Sequence, residues 1–115
     1  MTMIDVVVTK YDYTVDFLYE IGAIDDSTLV TDFASRESVV GKECFGSLPL
    51  HMVQTMAGLW MFDINLPKRK RGKMLSLDDL RKYVYGLSRY TAQRQQFDLE
   101  GVLLGESKGH NRPEY

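Results

Sequence analysis

A chain of 115 residues, 44% hydrophobic and 26% charged, has the size and composition of one globular domain with a modest core. Its single cysteine excludes an internal disulfide, and no apolar run approaches the roughly 20 residues of a membrane span. The formal charge of −2 says nothing about partners by itself, so the information lies in the order of the residues.

Met1-Thr2-Met3-Ile4-Asp5 has no basic stretch ahead of an apolar one, so no secretory signal is expected. Met3–Thr9 is nearly continuous and β-branched, which predicts a strand buried on both faces, as in a parallel sheet. Lys10-Tyr11-Asp12 follows as a loop, with Asp12 as N-cap of a helix over about Tyr13–Ile21. Val15, Leu18 and Ile21 recur at threes on its apolar face, and Gly22 stops it. Asp25-Asp26-Ser27 is a turn and Thr28–Phe33 a second strand. Ala34–Glu37 carries no pattern. Val39-Val40 and Glu43-Cys44-Phe45 suggest a third strand around a Gly41-Lys42 bend, with Cys44 as a small core residue, the usage of a reducing cytosol.

Gly46-Ser47-Leu48 then leads into a helix over about Pro49–Ala57, ended by Gly58, with Pro49 placed where its missing N–H does no harm. Leu59–Leu66 is the fourth and most apolar strand. Pro67–Lys73 is a basic loop. Ser76 followed three residues later by Asp79 is a capping-box start, and the helix it opens is expected to run to about Gln95, with Leu77, Leu80, Val84, Leu87 and Thr91 inward. Gly86 within it costs about 1 kcal/mol relative to Ala. Phe97–Leu104 reads as an edge strand or a dimer contact, and residues 105–115 as a loose polar tail after a single domain spanning residues 1–104.

Alternating strands and helices imply an α/β fold, a small Rossmann-like, mostly parallel sheet flanked by helices. Such sheets bind ligands beyond the carboxyl ends of their strands, at a switch point. Thr9-Lys10-Tyr11 and Gly46-Ser47-Leu48 both stand at predicted carboxyl ends. The second pairs a tight glycine turn with a helix start, which aims N–H groups at an anion such as phosphate. It is neither a Walker loop nor GxGxxG. Residues 66–94 hold nine Lys/Arg against Asp78 and Asp79, a local +7 against −9 elsewhere, which can steer an anion to one face. Tyr83, Tyr85 and Tyr90 are near enough in sequence to stack on bases. His51, on the polar side of its helix, is a candidate acid–base group. Two histidines and one cysteine lie too far apart in sequence for a zinc site, so no metal and no cofactor is expected.

From about Val39 to Tyr83 the chain resembles the small CRISPR-associated proteins of type III systems, the Csx-sixteen family. The matching residues are Gly46-Ser47-Leu48-Pro49, Leu66-Pro67, Arg71-Gly72-Lys73-Met74-Leu75-Ser76, Asp79-Leu80 and Tyr83. The family pattern has Arg-His after the first strand where this chain has Lys10-Tyr11. The segment between Pro49 and Leu66 is also slightly short. The resemblance implies a CARF-like fold and a ring nuclease that cleaves cyclic tetra-adenylate without metal, by 2′-OH attack on the adjacent phosphorus. It further implies a cytoplasmic homodimer with no membrane and no stable DNA partner. Carried onto this chain, Lys10 and Arg71 stabilise phosphoryl charge and Ser47 holds the phosphate. Tyr11 or His51 assists proton transfer, and Thr9, Gly46, Leu48, Pro49, Arg69 and Gly72 line the ligand. The alternatives are a sensor or sponge with the same pocket, or a small basic nucleic-acid-binding regulator.

Overall fold

The computed structural model describes residues 3–93. Five strands form one sheet: β1 (Val6–Val8), β2 (Leu29–Thr31), β3 (Glu43–Phe45), β4 (Gly58–Ile64) and β5 (Val84–Tyr90). Their order is β2-β1-β3-β4-β5. The first four are mutually parallel, and β5 runs antiparallel to β4. Helices α1 (Asp12–Glu20), α2 (Arg36–Val39), α3 (Leu50–Val53) and α4 (Leu77–Tyr83) flank them. The fold is a small Rossmann-like α/β sheet, as expected.

The strand alternation builds two cores, one on each face. Val7 and Phe45 point to one side, where Ile4, Leu18, Ala23 and Ile24 pack, with Trp60, Phe62 and Leu87 partly buried beside them. Val6, Cys44 and Leu59 point to the other, against Val39, Val53 and Met56. Burial on both faces is why β1 reads as an unbroken apolar run. Burial also pushes the Cys44 thiol up to about 11, which leaves it a packing residue.

Local signals set several helix ends. At the end of α1, Gly22 takes φ 76. Its N–H donates to the Tyr19 carbonyl (3.1 Å) and that of Ala23 to the Leu18 carbonyl (3.0 Å), a Schellman motif. Ser76 and Asp79 cap α4 reciprocally, at 3.0 and 3.2 Å. Asp12, expected as an N-cap, is instead the first residue of α1. Tyr11 occupies the cap position without a side-chain bond.

Four expectations are corrected. The unpatterned segment holds α2, capped by a reciprocal Ser35–Ser38 box, and Val39 closes that helix rather than opening a strand. Helix α3 is a single turn, because the following chain is taken over elsewhere: the Ala57 N–H donates to Lys42 O (2.9 Å) and the Gly41 N–H to Thr55 O (2.8 Å). Gly58 therefore begins β4 instead of stopping a helix. The largest correction is at α4, which ends at Tyr83 and gives way to β5. Residues 84–90 supply β4 with an antiparallel partner from Leu59 to Ile64. The Gly86 that disfavoured helix sits opposite Asp63, where an added Cβ would lie 2.8 Å from Asp63 Oδ2. The expected Phe97–Leu104 element and the tail lie outside the described residues. Among the described residues no helix is long and apolar enough to cross a membrane.

Candidate functional site at the carboxyl rim of the sheet

The chain leaves β1 toward β2 on one side, while β3 lies on the other. That reversal of direction is the switch point at which such sheets hold ligands. Thr9-Lys10-Tyr11 leaves β1 and Gly46-Ser47-Leu48-Pro49 leaves β3, so the two predicted segments flank it. Their approach is close. Gly46 is buried at φ 146, and a Cβ there would lie 2.6 Å from the Val8 carbonyl oxygen and 3.2 Å from Val8 Cβ. Only glycine lets the β3 exit turn lie against the end of β1.

The β1 exit is shaped by its own residues. The Thr9 N–H donates to Thr31 O (2.9 Å), and Thr9 Oγ1 accepts from the Tyr11 N–H (3.2 Å). Lys10 is thereby turned out, exposed and without an ion-pair partner among the described residues. The Tyr11 ring stacks on Tyr13, centroids 5.2 Å apart. Burial, then the neighbouring Tyr11, hold the Tyr13 phenol above its ordinary value, while a hydrogen bond with the Leu75 backbone pulls it down.

On the β3 exit, Ser47 is exposed and its hydroxyl has no partner among the described residues. Leu48 packs on the second core. Pro49 is the N-cap of α3, and its carbonyl accepts from Met52 and Val53 at 2.9 and 3.2 Å. The expected anion cradle therefore rests on turn amides rather than on a long helix dipole, because α3 has only four residues. His51 is exposed in that turn.

The basic loop follows β4 at the same rim. It forms a 3₁₀ turn, Lys68–Lys70, capped by Pro67. Arg71 Nε donates to Leu66 O (3.3 Å), leaving the rest of the guanidinium exposed. Gly72 turns the loop at φ 77 in open space. Arg69 donates from Nη2 to the Tyr83 hydroxyl (3.3 Å). Several other cations of the basic segment are structural. Lys70 pairs with Asp79 at 3.1 Å, Arg89 with Glu43 at 2.8 Å, and Arg81 bridges Glu20 and Asp78. The Ser76 amide, then Lys70, holds Asp79 below its usual range. The cations left without an acidic partner among the described residues of this segment are Lys68, Arg69, Arg71, Lys73 and Lys82. The structure thus brings Gly46 against the end of β1 at Val8, so that Thr9–Tyr11 and Gly46–Pro49 leave neighbouring strands side by side. No hydrogen bond or ion pair joins Arg69, Arg71 or Gly72 to either turn among the described residues.

Beyond β4 an open cleft of about 590 Å³ is lined by Asn65, Leu66, Pro67, Lys82, Tyr83 and Tyr85. Asn65 and Lys82 had no part in the predicted site. Helical spacing hid the cleft, since it puts Tyr83 and Tyr85 on opposite faces, about 200° apart. Among the described residues no group of three or more His, Cys, Asp or Glu gathers where it could hold a metal.

The family described as "Putative CRISPR-associated protein (Cas_VVA1548)" matches residues 6–93. The chain belongs to this CRISPR-associated family. No curated protein and no solved structure matches it. The span matched to the CRISPR-associated family runs from β1 through β5. It therefore includes both exit turns, the basic loop and the cleft.

Proposed function

We propose that this CRISPR-associated protein is a ring nuclease: it binds cyclic tetra-adenylate and cleaves it, ending the signal the ring carries. The observation that carries the reading is the close approach of Gly46 to the end of β1, with the Thr9–Tyr11 and Gly46–Pro49 turns leaving neighbouring strands at the switch point. It sits on the rim that also bears the cations without acidic partners. Exposed turn groups at Ser47 and the positive charge of Lys10 suit a phosphodiester. Membership of a CRISPR-associated family supports a cyclic RNA messenger as its source.

In the proposed reaction the ribose 2′-oxygen attacks the adjacent phosphorus as its proton leaves. The phosphorus–5′-oxygen bond breaks, and the departing oxygen takes up a proton. The products end in a 2′,3′-cyclic phosphate and a 5′-hydroxyl. Nucleophile and phosphorus belong to one molecule, so alignment supplies much of the acceleration. Lys10 and Arg71 stabilise charge on the phosphoryl oxygens. Ser47 and the amides after Gly46 hold the phosphate, and Tyr11 or His51 moves the proton. A second copy of the chain presents the same turns to the other half of the ring. Leu50, 75% exposed beside the Pro49 turn, offers apolar surface at that rim for such a contact.

A second reading, a binder that does not cleave, is favoured by one observation: Lys10-Tyr11 supplies a cation and a phenol but no imidazole. Incubation with labelled cyclic tetra-adenylate, with chelator present, decides between them. The expected product is linear adenylate with a cyclic phosphate end. Ring recovered intact but bound supports the sponge. No ring bound, beside tight binding of linear RNA, supports a nucleic-acid regulator. Lys10→Ala and Arg71→Ala are each expected to slow cleavage roughly 10²- to 10³-fold, the scale for losing one preorganised charge-stabilising group. Unchanged rates in both would remove this site.

A further inference from the structure

The cleft beyond β4 is not used by the phosphate chemistry above. Its size, about 590 Å³, lies within the range of small-ligand sites. Three features of its wall point to one chemistry. Tyr83 and Tyr85 supply aromatic surface, with Leu66 and Pro67 beside them. Tyr85 is 76% exposed, a large apolar ring with little of its surface covered by the described chain. The wall is cationic and free of acids. Lys82 Nζ stands 5.6 Å from the centre of the Tyr83 ring, and Arg69 reaches the Tyr83 hydroxyl. Finally, the Asn65 N–H donates to Tyr83 O (3.1 Å), which anchors the backbone and leaves an exposed side-chain amide with no partner among the described residues.

A stacking ring, a positive wall and an amide offering one donor edge and one acceptor match a nucleobase on a phosphate chain. The amide suits the N6/N7 edge of adenine. Asn pairs bidentately with adenine, accepting from the exocyclic amine and donating to the ring nitrogen beside it. We infer that this cleft is an adenine subsite, with the base stacked on Tyr85 and read by Asn65. Its place in the sheet fits. The switch point lies between β1 and β3 and the cleft at the β4–β5 end of the same rim, two strand spacings or about 10 Å away. A phosphate at the first leaves a neighbouring nucleoside within reach of the second. The inference deepens the ring-nuclease reading and rests on it for the polymer that carries the base.

The experiment titrates the full chain with AMP and, separately, with GMP, following backbone amide shifts by NMR. Tyr85→Ala, Tyr85→Phe and Asn65→Ala are compared with the wild type. AMP is expected to shift Asn65, Tyr83 and Tyr85 saturably and to bind more tightly than GMP. Tyr85→Ala weakens AMP roughly 5- to 150-fold, the contribution of one stacked base, and Tyr85→Phe restores it. Asn65→Ala removes the preference for AMP over GMP. Equal binding of the two nucleotides, shifts confined to other residues, or wild-type AMP affinity in Tyr85→Ala would overturn the subsite. Both side chains are exposed, and amide dispersion checks that the variants fold. Cyclic tetra-adenylate separates this inference from its parent. If both alanine variants cleave it with wild-type rate and affinity, the subsite fails alone. If AMP behaves as expected while the ring is neither bound nor cleaved, the ring-nuclease reading fails alone.

Discussion

The two ends of the sheet treat their polar groups in opposite ways. At the amino end, Glu43 accepts from Trp60 Nε1 (2.7 Å) and from Arg89 Nε and Nη2 (both 2.8 Å). Arg89 also donates to Ala57 O (2.7 Å), and Asp5 accepts from the Glu43 N–H (3.0 Å). Gly58 makes room for this network: a Cβ there would lie 2.5 Å from Arg89 Nε. At the carboxyl end, Lys10, Ser47, His51, Lys68 and Lys73 have side chains without partners among the described residues. Beside the Lys70–Asp79 pair, the carboxyl rim keeps cations that form no ion pair among the described residues, and these add no such pair to stability. The amino rim holds strands together, and in the proposed function the carboxyl rim meets an anion.

The largest expected effect breaks the carboxyl rim where Gly46 packs against Val8. Gly46→Ala puts a methyl group 2.6 Å from a backbone oxygen and forces alanine to φ 146. A loss of about 3 kcal/mol is expected, read as a shift in the urea midpoint, and ring binding should disappear with it. Next comes the amino rim. Glu43→Gln is expected to lower the melting temperature by on the order of 5 °C while leaving cleavage per folded molecule unchanged. Lost cleavage at full stability would reverse the roles assigned to the two ends.

The same carboxylate gives a pH test. Hydrogen bonds from Arg89, opposed by partial burial and aided by Trp60, hold Glu43 below its ordinary value of 4.5. Folding therefore gains from the ionised form above that value and loses the gain as pH falls through the depressed folded pKa. The melting temperature of the wild type should fall faster than that of Glu43→Gln as pH drops below about 4.5. Parallel curves would show that the Arg89 contact contributes nothing. The smallest effect belongs to the loop. Lys68→Ala and Lys73→Ala should leave stability untouched and weaken ring binding modestly. Each should reduce the slope of log affinity against log salt by about 0.7, the value for one single-strand phosphate contact. An unaltered slope would place that lysine outside the ligand's reach.

Much of this contrast was legible before any coordinates. The glycine at 46, the cationic loop and the polar exit at Thr9–Tyr11 were all visible as local composition. Their shared edge followed from strand order alone. What local composition could not divide was the basic segment. Lys70, Arg81 and Arg89 look like Lys68 and Lys73 in sequence, yet their partners Asp79, Glu20 and Glu43 stand 9, 61 and 46 residues away. The cleft was hidden for a related reason, since the Tyr83–Tyr85 pair was read on a helix that ends between them.

By itself the sequence determined the features whose causes are short-range. These are the buried β-branched strand at Val6–Val8, the Gly22 stop, the Ser76–Asp79 cap and the Gly46 turn. Each depends on φ/ψ preference or on hydrogen bonds spanning a few residues. Tertiary structure alone decided the fate of residues 84–90. Val84, Leu87 and Thr91 satisfy a helical period, and the same segment satisfies a strand. The bare edge of β4, with its row of N–H and carbonyl groups to be paired, selected the strand. The same pairing set Tyr83 and Tyr85 beside Asn65, and so formed the cleft at the rim where the cations remain unpaired.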